Sequence, residues 1–172
     1  MLFKKKKSDD IIIPYNILTC HQCKTSQTKY LGNLDDVYKV NHADNTGSIM
    51  KELHLKVLNK IKNYKLELNI ENIIEVGCSK GTLSDLVLDS NIVNKYYIIE
   101  PNFIGVHREN KIVINNFFEN VSFSKYNICN TLVISHVFEH FYNPIKILEV
   151  IQSNYNINNF ILVWPDLEYY KD

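Results

Sequence analysis

Short apolar runs alternate with helical stretches along most of this chain. Met50, Leu53, Val57, Leu58 and Ile61 recur at helical spacing with lysines between them, which predicts an amphipathic helix. Asn72-Ile-Ile-Glu-Val-Gly77 then reads as a strand, and Gly81 to Asp89 as a helix with Leu83, Leu86 and Val87 inward. Lys95 to Glu100 and Lys111 to Asn115 are further strands, the second followed by a short Phe117-Phe118 segment. Asn130 to Ser135 is the next strand. Asn143-Pro144 opens a helix, with Asn as its cap and Pro at the first helical position, and Ile147, Leu148 and Ile151 inward. Asn159 to Trp164 is the last strand. Strands separated by helices imply βαβ units, a mostly parallel sheet and an α/β fold. Ligands of such sheets bind beyond the carboxyl ends of the strands.

The first 45 residues lack this order. They are polar and turn-rich, and predict an irregular N-terminal segment over 1–45 ahead of a domain over 46–172. The lysines of Met1 to Lys7 form a solvated basic tail. The apolar run from Ile11 to Leu18 is broken by Pro14 and Asn16 and is too short to span a membrane.

Composition changes the picture in one respect. The 172 residues include 22 Asn, 22 Ile and 18 Lys but one Arg, one Ala and five Gly. The abundant three share A/T-rich codons, so single Asn and Lys residues carry little information and the glycines carry more. Nineteen basic and nineteen acidic residues cancel, which removes the charge argument for nucleic acid or a membrane surface. The four cysteines show no disulfide framework, and a cytoplasmic location is expected.

The chemistry concentrates at the end of the first strand of the sheet. Glu75-Val-Gly-Cys-Ser-Lys-Gly81 is a turn bounded by two glycines between strand and helix. Gly77 allows a sharp turn, Gly81 allows close approach of backbone to a ligand, and Glu75 can receive an ammonium group. Glu100 closes the next strand, where a carboxylate can accept both hydroxyls of a ribose.

These residues resemble the class I S-adenosylmethionine-dependent methyltransferases from Ile73 to Trp164. Glu75 to Gly81 is similar to their first motif, with Ser79 in place of the middle glycine. Glu100 is similar to their ribose-binding acid, and Asn116-Phe117 to the Asp-Phe pair that meets adenine. Ser135-His-Val-Phe-Glu-His140, followed by Asn143-Pro144, is similar to the stretch after their fourth strand. The resemblance implies a Rossmann-like sheet of order 3-2-1-4-5 with helices on both faces. It implies cofactor contacts from Glu75, Gly77, Cys78 and Ser79, with Gly81, Thr82 and Leu83 at the helix start. Glu100, Pro101 and Asn102 would meet the ribose end, Asn116 and Phe117 the adenine, and Ser135 the seam between the sheet halves. His136, Glu139 and His140 are the local base candidates, and Trp164 and Asp166 the acceptor-side candidates. Trp164 could instead fill the core.

Gly77-x-Ser79-x-Gly81 also spells the nucleophile elbow of α/β-hydrolases, but hydrolases place strands before the elbow and here it follows the first. His136-x-x-Glu139-His140 spells an inverted zinc-protease motif, but it follows directly from a strand and predicts a loop and one turn. Cys20-His-Gln-Cys23 is half a zinc knuckle. It reads as two unligated thiols or as half a zinc site, and with half the required cysteines the first is favoured.

A narrower resemblance is to sugar C-methyltransferases acting on nucleotide-linked deoxysugars. Cys20-x-x-Cys23, the stretch Tyr38 to His54 and the segment Val163 to Tyr169 are similar to theirs, although their second cysteine pair is absent. This implies a small-molecule acceptor, with a nucleotide sugar in view. Methyltransferases of this class carry a final antiparallel hairpin that is missing here. The chain therefore also reads as a truncated, non-catalytic module, its sheet edge completed by a partner chain or a second copy.

Overall fold

The computed structural model describes residues 12, 14–39, 47–122, 129–153 and 156–164. The chain divides into two compact units, Met1–Val40 and Asn41–Asp172.

In the first unit, β1 (Ile17–Thr19) and β2 (Ser26–Thr28) pair antiparallel, and a short helix α1 (Leu34–Val37) follows, capped by the Asn33 side chain. The expectation of an irregular segment is corrected here. Every residue of both strands is exposed, so no alternating apolar face marks them in the sequence. Backbone pairing makes the hairpin, and Lys24, at φ 61, turns the chain between the strands.

The second unit holds a five-stranded parallel sheet. Its strands are β3 (Ile73–Val76), β4 (Tyr96–Ile99), β5 (Lys111–Ile114), β6 (Thr131–Ser135) and β7 (Asn159–Val163), in the order β5-β4-β3-β6-β7. That is the expected 3-2-1-4-5 order. β3, β4 and the first four residues of β6 are buried throughout, and both sheet faces are covered. On one face Ile73, Tyr96, Ile98 and Val133 pack with α2 (Ser48–Tyr64) and α3 (Thr82–Asp89). On the other, Ile74, Tyr97, Ile99, Leu132 and Ile134 pack with α4 (Pro144–Ser153) and the 3-10 turn Phe118–Asn120.

Asn143 caps α4 as expected, its Oδ1 accepting from Lys146 N at 3.1 Å. The expected inward face of α4 needs one correction. Ile147 is buried, but Leu148 is 41% exposed because it lies about 100° around the helix from Ile147.

Three asparagine contacts set the orientation of α2. Asn130 accepts from Glu71 N through Oδ1 and donates to Asn69 O, while Asn159 Nδ2 donates to Leu68 O at 2.9 Å. The α2–β3 connection is thus tied to the amino edge of the sheet, so the first turns of α2 run toward the carboxyl ends of the strands.

Candidate functional site

The turn after β3 is built from left-handed residues. Gly77, Ser79 and Gly81 have φ of 71, 55 and 69. Ser79 therefore stands strained in a conformation that glycine adopts freely, which is the physical meaning of the glycine its motif usually has there. Ser79 is 6% exposed, unlike the exposed serine of a hydrolase elbow. The space beside each glycine is filled by this chain itself. A Cβ on Gly77 would collide with the Val137 side chain, and one on Gly81 would meet Ser84 Oγ at 2.8 Å and Phe103 at 3.1 Å. At Gly81 the positive φ and the packing of Ser84 and Phe103 already require the glycine.

Glu100 lies just beyond β4, 8% exposed. Its Oε2 accepts from Ser79 N at 2.9 Å and its Oε1 from Asn102 N at 3.0 Å. Each oxygen keeps a lone pair, so the carboxylate is held rigid and still able to accept. A strap that the sequence reading missed fixes this loop. Lys111 Nζ, its side chain wholly buried, donates to Asp85 Oδ1 at 2.6 Å and to Val106 O at 3.1 Å, and Arg108 pairs with Asp89 at 2.7 Å. Gly105 packs against Lys80 O, where no side chain fits. Strand-like apolar residues around Lys111 hid it in the sequence; a lysine at the start of a buried strand was the signal.

Glu75 is not presented at the rim. It is 3% exposed within β3 on the α2 face, and burial pushes its carboxyl up to about 7 against the nearby Tyr96 hydroxyl and the Lys111 charge. Glu75 Oε2 and the Tyr96 hydroxyl complete no hydrogen bond of good geometry among the described residues. A carboxyl whose folded pKa is raised holds its proton better folded than unfolded. Its contribution is complete below the ordinary carboxylate range and is lost as pH rises to about 7. Relative to Glu75→Gln, wild type should lose stability across that window, read as a falling urea midpoint; parallel midpoints at all pH values would refute it.

Asn116 turns its Oδ1 back on the loop, accepting from Phe117 N at 2.9 Å. Cys78 is buried and its thiol is pushed well above its usual range by burial. Thr82 and Leu83 open α3, and Pro101 and Asn102 follow Glu100 in a turn. Ser135 ends β6 with its Oγ buried and without a partner among the described residues.

Beyond Ser135 the chain makes the expected loop and one turn. His136 sits at φ 54, its N–H bonded to Val163 O at 2.8 Å, and Phe138–His140 is a 3-10 turn. His136 Nδ1 lies 4.0 Å from Glu139 Oε1, while His140 is exposed. Trp164, 59% exposed, fills no core. Asp166 lies outside the described residues.

Cys20 and Cys23 are exposed free thiols at the β1–β2 turn, closed by Cys20 N to Thr25 O at 2.9 Å. Among the described residues no three or more His, Cys, Asp or Glu side chains gather as a metal site. The thiol pair alone does not close a tetrahedral zinc site. Hydrogen bonding to Thr25 lowers the Cys23 thiol to about 7. At neutral pH iodoacetamide should therefore label Cys23 well ahead of buried Cys78 and Cys129, and Thr25→Val should slow it. Peptide mass mapping that finds Cys78 or Cys129 labelled first would contradict this.

The sheet order agrees with what known proteins show. Residues 42–163 match the family model described as a methyltransferase domain. No curated protein gives a match to the chain. The methyltransferase domain of bacterial CtHen1-CN is similar in structure, with a TM-score of 0.57 and 16% identity over 68% of this chain and 69% of that one. The plantazolicin methyltransferase BpumL, solved with a monoazolic desmethylPZN analog and SAH, aligns with a TM-score of 0.50 and 19% identity. That match covers 58% of this chain and only 41% of the plantazolicin enzyme's length. Among the described residues, no helix is long and apolar enough to cross a membrane. With the family model matched over more than two-thirds of its length, the chain belongs to the methyltransferase domain family, as a class I S-adenosylmethionine-dependent domain.

Proposed function

We propose that this chain transfers the methyl group of S-adenosylmethionine to a small hydroxyl-bearing acceptor, a nucleotide-linked sugar being the finer reading. The observation that carries the donor half is Glu100, whose two carboxylate oxygens are fixed by backbone N–H groups while keeping acceptor capacity for a ribose diol. The buried, unpartnered Glu75 Oε2 and Ser135 Oγ fit a ligand that brings hydrogen-bond donors. Bound S-adenosylmethionine supplies a methyl group already activated by the sulfonium. What the chain adds is positioning: it holds the donor across β3 and β4 and aligns the acceptor over β6 and β7. His136, with Glu139 beside it, is the nearest group able to take a proton from an acceptor hydroxyl. The exposed Trp164 ring supports a stacking wall for a sugar face. The likeness to the plantazolicin enzyme, solved with a small azole analog, supports a small acceptor. The sugar itself rests on the sequence resemblance alone. Four free cysteines support a cytoplasmic location.

Calorimetry with S-adenosylhomocysteine tests the donor half: saturable one-to-one binding is expected, and no binding alongside binding of NAD would overturn the reading. A second reading, a non-catalytic module completed by a partner, is favoured by β7, which among the described strands pairs only with β6 and exposes 40% of Phe160. That module would bind S-adenosylhomocysteine yet form none from S-adenosylmethionine until the partner is added.

A further inference from the structure

His54 is the least explained residue of the second unit. It is 6% exposed in α2, and its Nδ1 is buried without a hydrogen-bond partner among the described residues. A buried imidazole nitrogen left unpaired is a net cost to the fold, so a scaffold alone gives no reason for it. It lies three and four residues before Val57 and Leu58, on the same helix face, and those side chains belong to the buried cluster that includes Val133 of β6. Two residues along, Ser135 faces the same side of the sheet by strand alternation, and its Oγ, like Oε2 of Glu75 in register with Val133, is buried without a partner among the described residues. The first turns of α2 point toward the carboxyl end of the sheet, and burial, with a smaller contribution from nearby His136, lowers the His54 pKa. His54 Nδ1, Ser135 Oγ and the left-handed His136 therefore belong to the end of β6, across β3 from β4 and Glu100.

We propose that His54 and Ser135 form the floor of the acceptor pocket, binding a neutral hydroxyl that His136 then meets from the rim. A hydroxyl both donates and accepts, so it satisfies the imidazole in either tautomer and the serine Oγ together. Burial keeps His54 uncharged, which suits a neutral hydroxyl and disfavours a phosphate or carboxylate at this spot. His54 acts as a positioning residue: it holds the acceptor while the proton goes elsewhere. This inference rests on the methyltransferase reading above.

The test uses the full chain saturated with S-adenosylhomocysteine and carrying labelled histidine. Methyl β-D-glucopyranoside and UDP-glucose are the probes, followed by NMR of the imidazole signals. Saturable shifts at both His54 and His136 are expected with at least one probe. His54→Leu should weaken that probe about tenfold, as loss of one buried hydrogen bond does, and leave S-adenosylhomocysteine affinity within about twofold. His54→Asn, which keeps a polar atom near the Nδ1 position, should restore most of the probe binding. Removing an unpaired buried nitrogen should also leave the unfolding midpoint of His54→Leu at or above wild type, which a purely structural histidine would not do. The proposal fails if neither probe moves the His54 signal, if His54→Leu binds the probe as tightly as wild type, or if it loses S-adenosylhomocysteine as well. Loss of fold in His54→Leu, or equal loss of probe binding in His54→Leu and His54→Asn, overturns it. Absence of S-adenosylhomocysteine binding to wild type would instead sink the donor assignment.

Discussion

Glu100→Ala should lose about 100-fold or more in affinity for S-adenosylhomocysteine, since two charge-assisted hydrogen bonds to a ribose diol contribute roughly 1.5 kcal/mol or more each. The carboxylate also receives the N–H groups of Ser79 and Asn102, so its removal loosens the turn that shapes the donor side. Glu100→Gln separates the two roles. It keeps one acceptor oxygen for the backbone but turns an amide against the other donor, so it should fall between alanine and wild type. Calorimetry on folded variants is the readout. Alanine binding within threefold of wild type would mean that Glu100 merely braces the loop.

Gly77→Ala should destabilise the fold by about 2–5 kcal/mol, in two separable parts. A left-handed φ of 71 costs a non-glycine residue roughly 1–2 kcal/mol. The new methyl also overlaps Val137, whose Cγ1 would sit 2.9 Å away, and overpacking of this kind costs about 1–3 kcal/mol. Val137→Ala opens that space. The double variant should therefore recover the steric part and retain the strain, a coupling visible in urea unfolding. Gly81→Ala gives the control, because its neighbours are Ser84, Phe103 and Ile98, and Val137→Ala should not rescue it. Simple additivity at Gly77 would show that the loop after β6 does not lean on the turn after β3.

The sheet was legible because buried parallel strands write themselves as apolar runs, and Ile73-Ile74, Tyr96 to Ile99 and Leu132 to Ile134 are such runs. Glu100 and Asn143 were legible because each combines a residue type with a fixed place, at a strand end and before Pro144. The β1–β2 hairpin was not, since its strands bury nothing and periodicity has no purchase on them. At Gly81 the sequence shows that a side chain is missing but not that Ser84 and Phe103 fill the gap. His54 falls on the same helical stripe as Val57, Leu58 and Ile61. A stripe drawn through apolar residues alone passes over the one polar residue it buries. Lys111 was hidden likewise, a charge satisfied by Asp85, whose position in three dimensions no spacing reveals.

The strand order places the break between halves of the site at β3 and β6, which are neighbours in the sheet although 54 residues lie between Val76 and Thr131. The strands on the Glu100 side come from residues 73–114 of the chain, and those on the other side from 131–163. On the proposed reading, inheritance can therefore act on the two halves separately. Substitutions after Asn130 can drift toward a new acceptor while the earlier segment keeps its hold on the donor. His54 is the exception, an acceptor-side residue lying upstream of the donor segment, and a change of acceptor would have to recruit it from the far end of the chain's order.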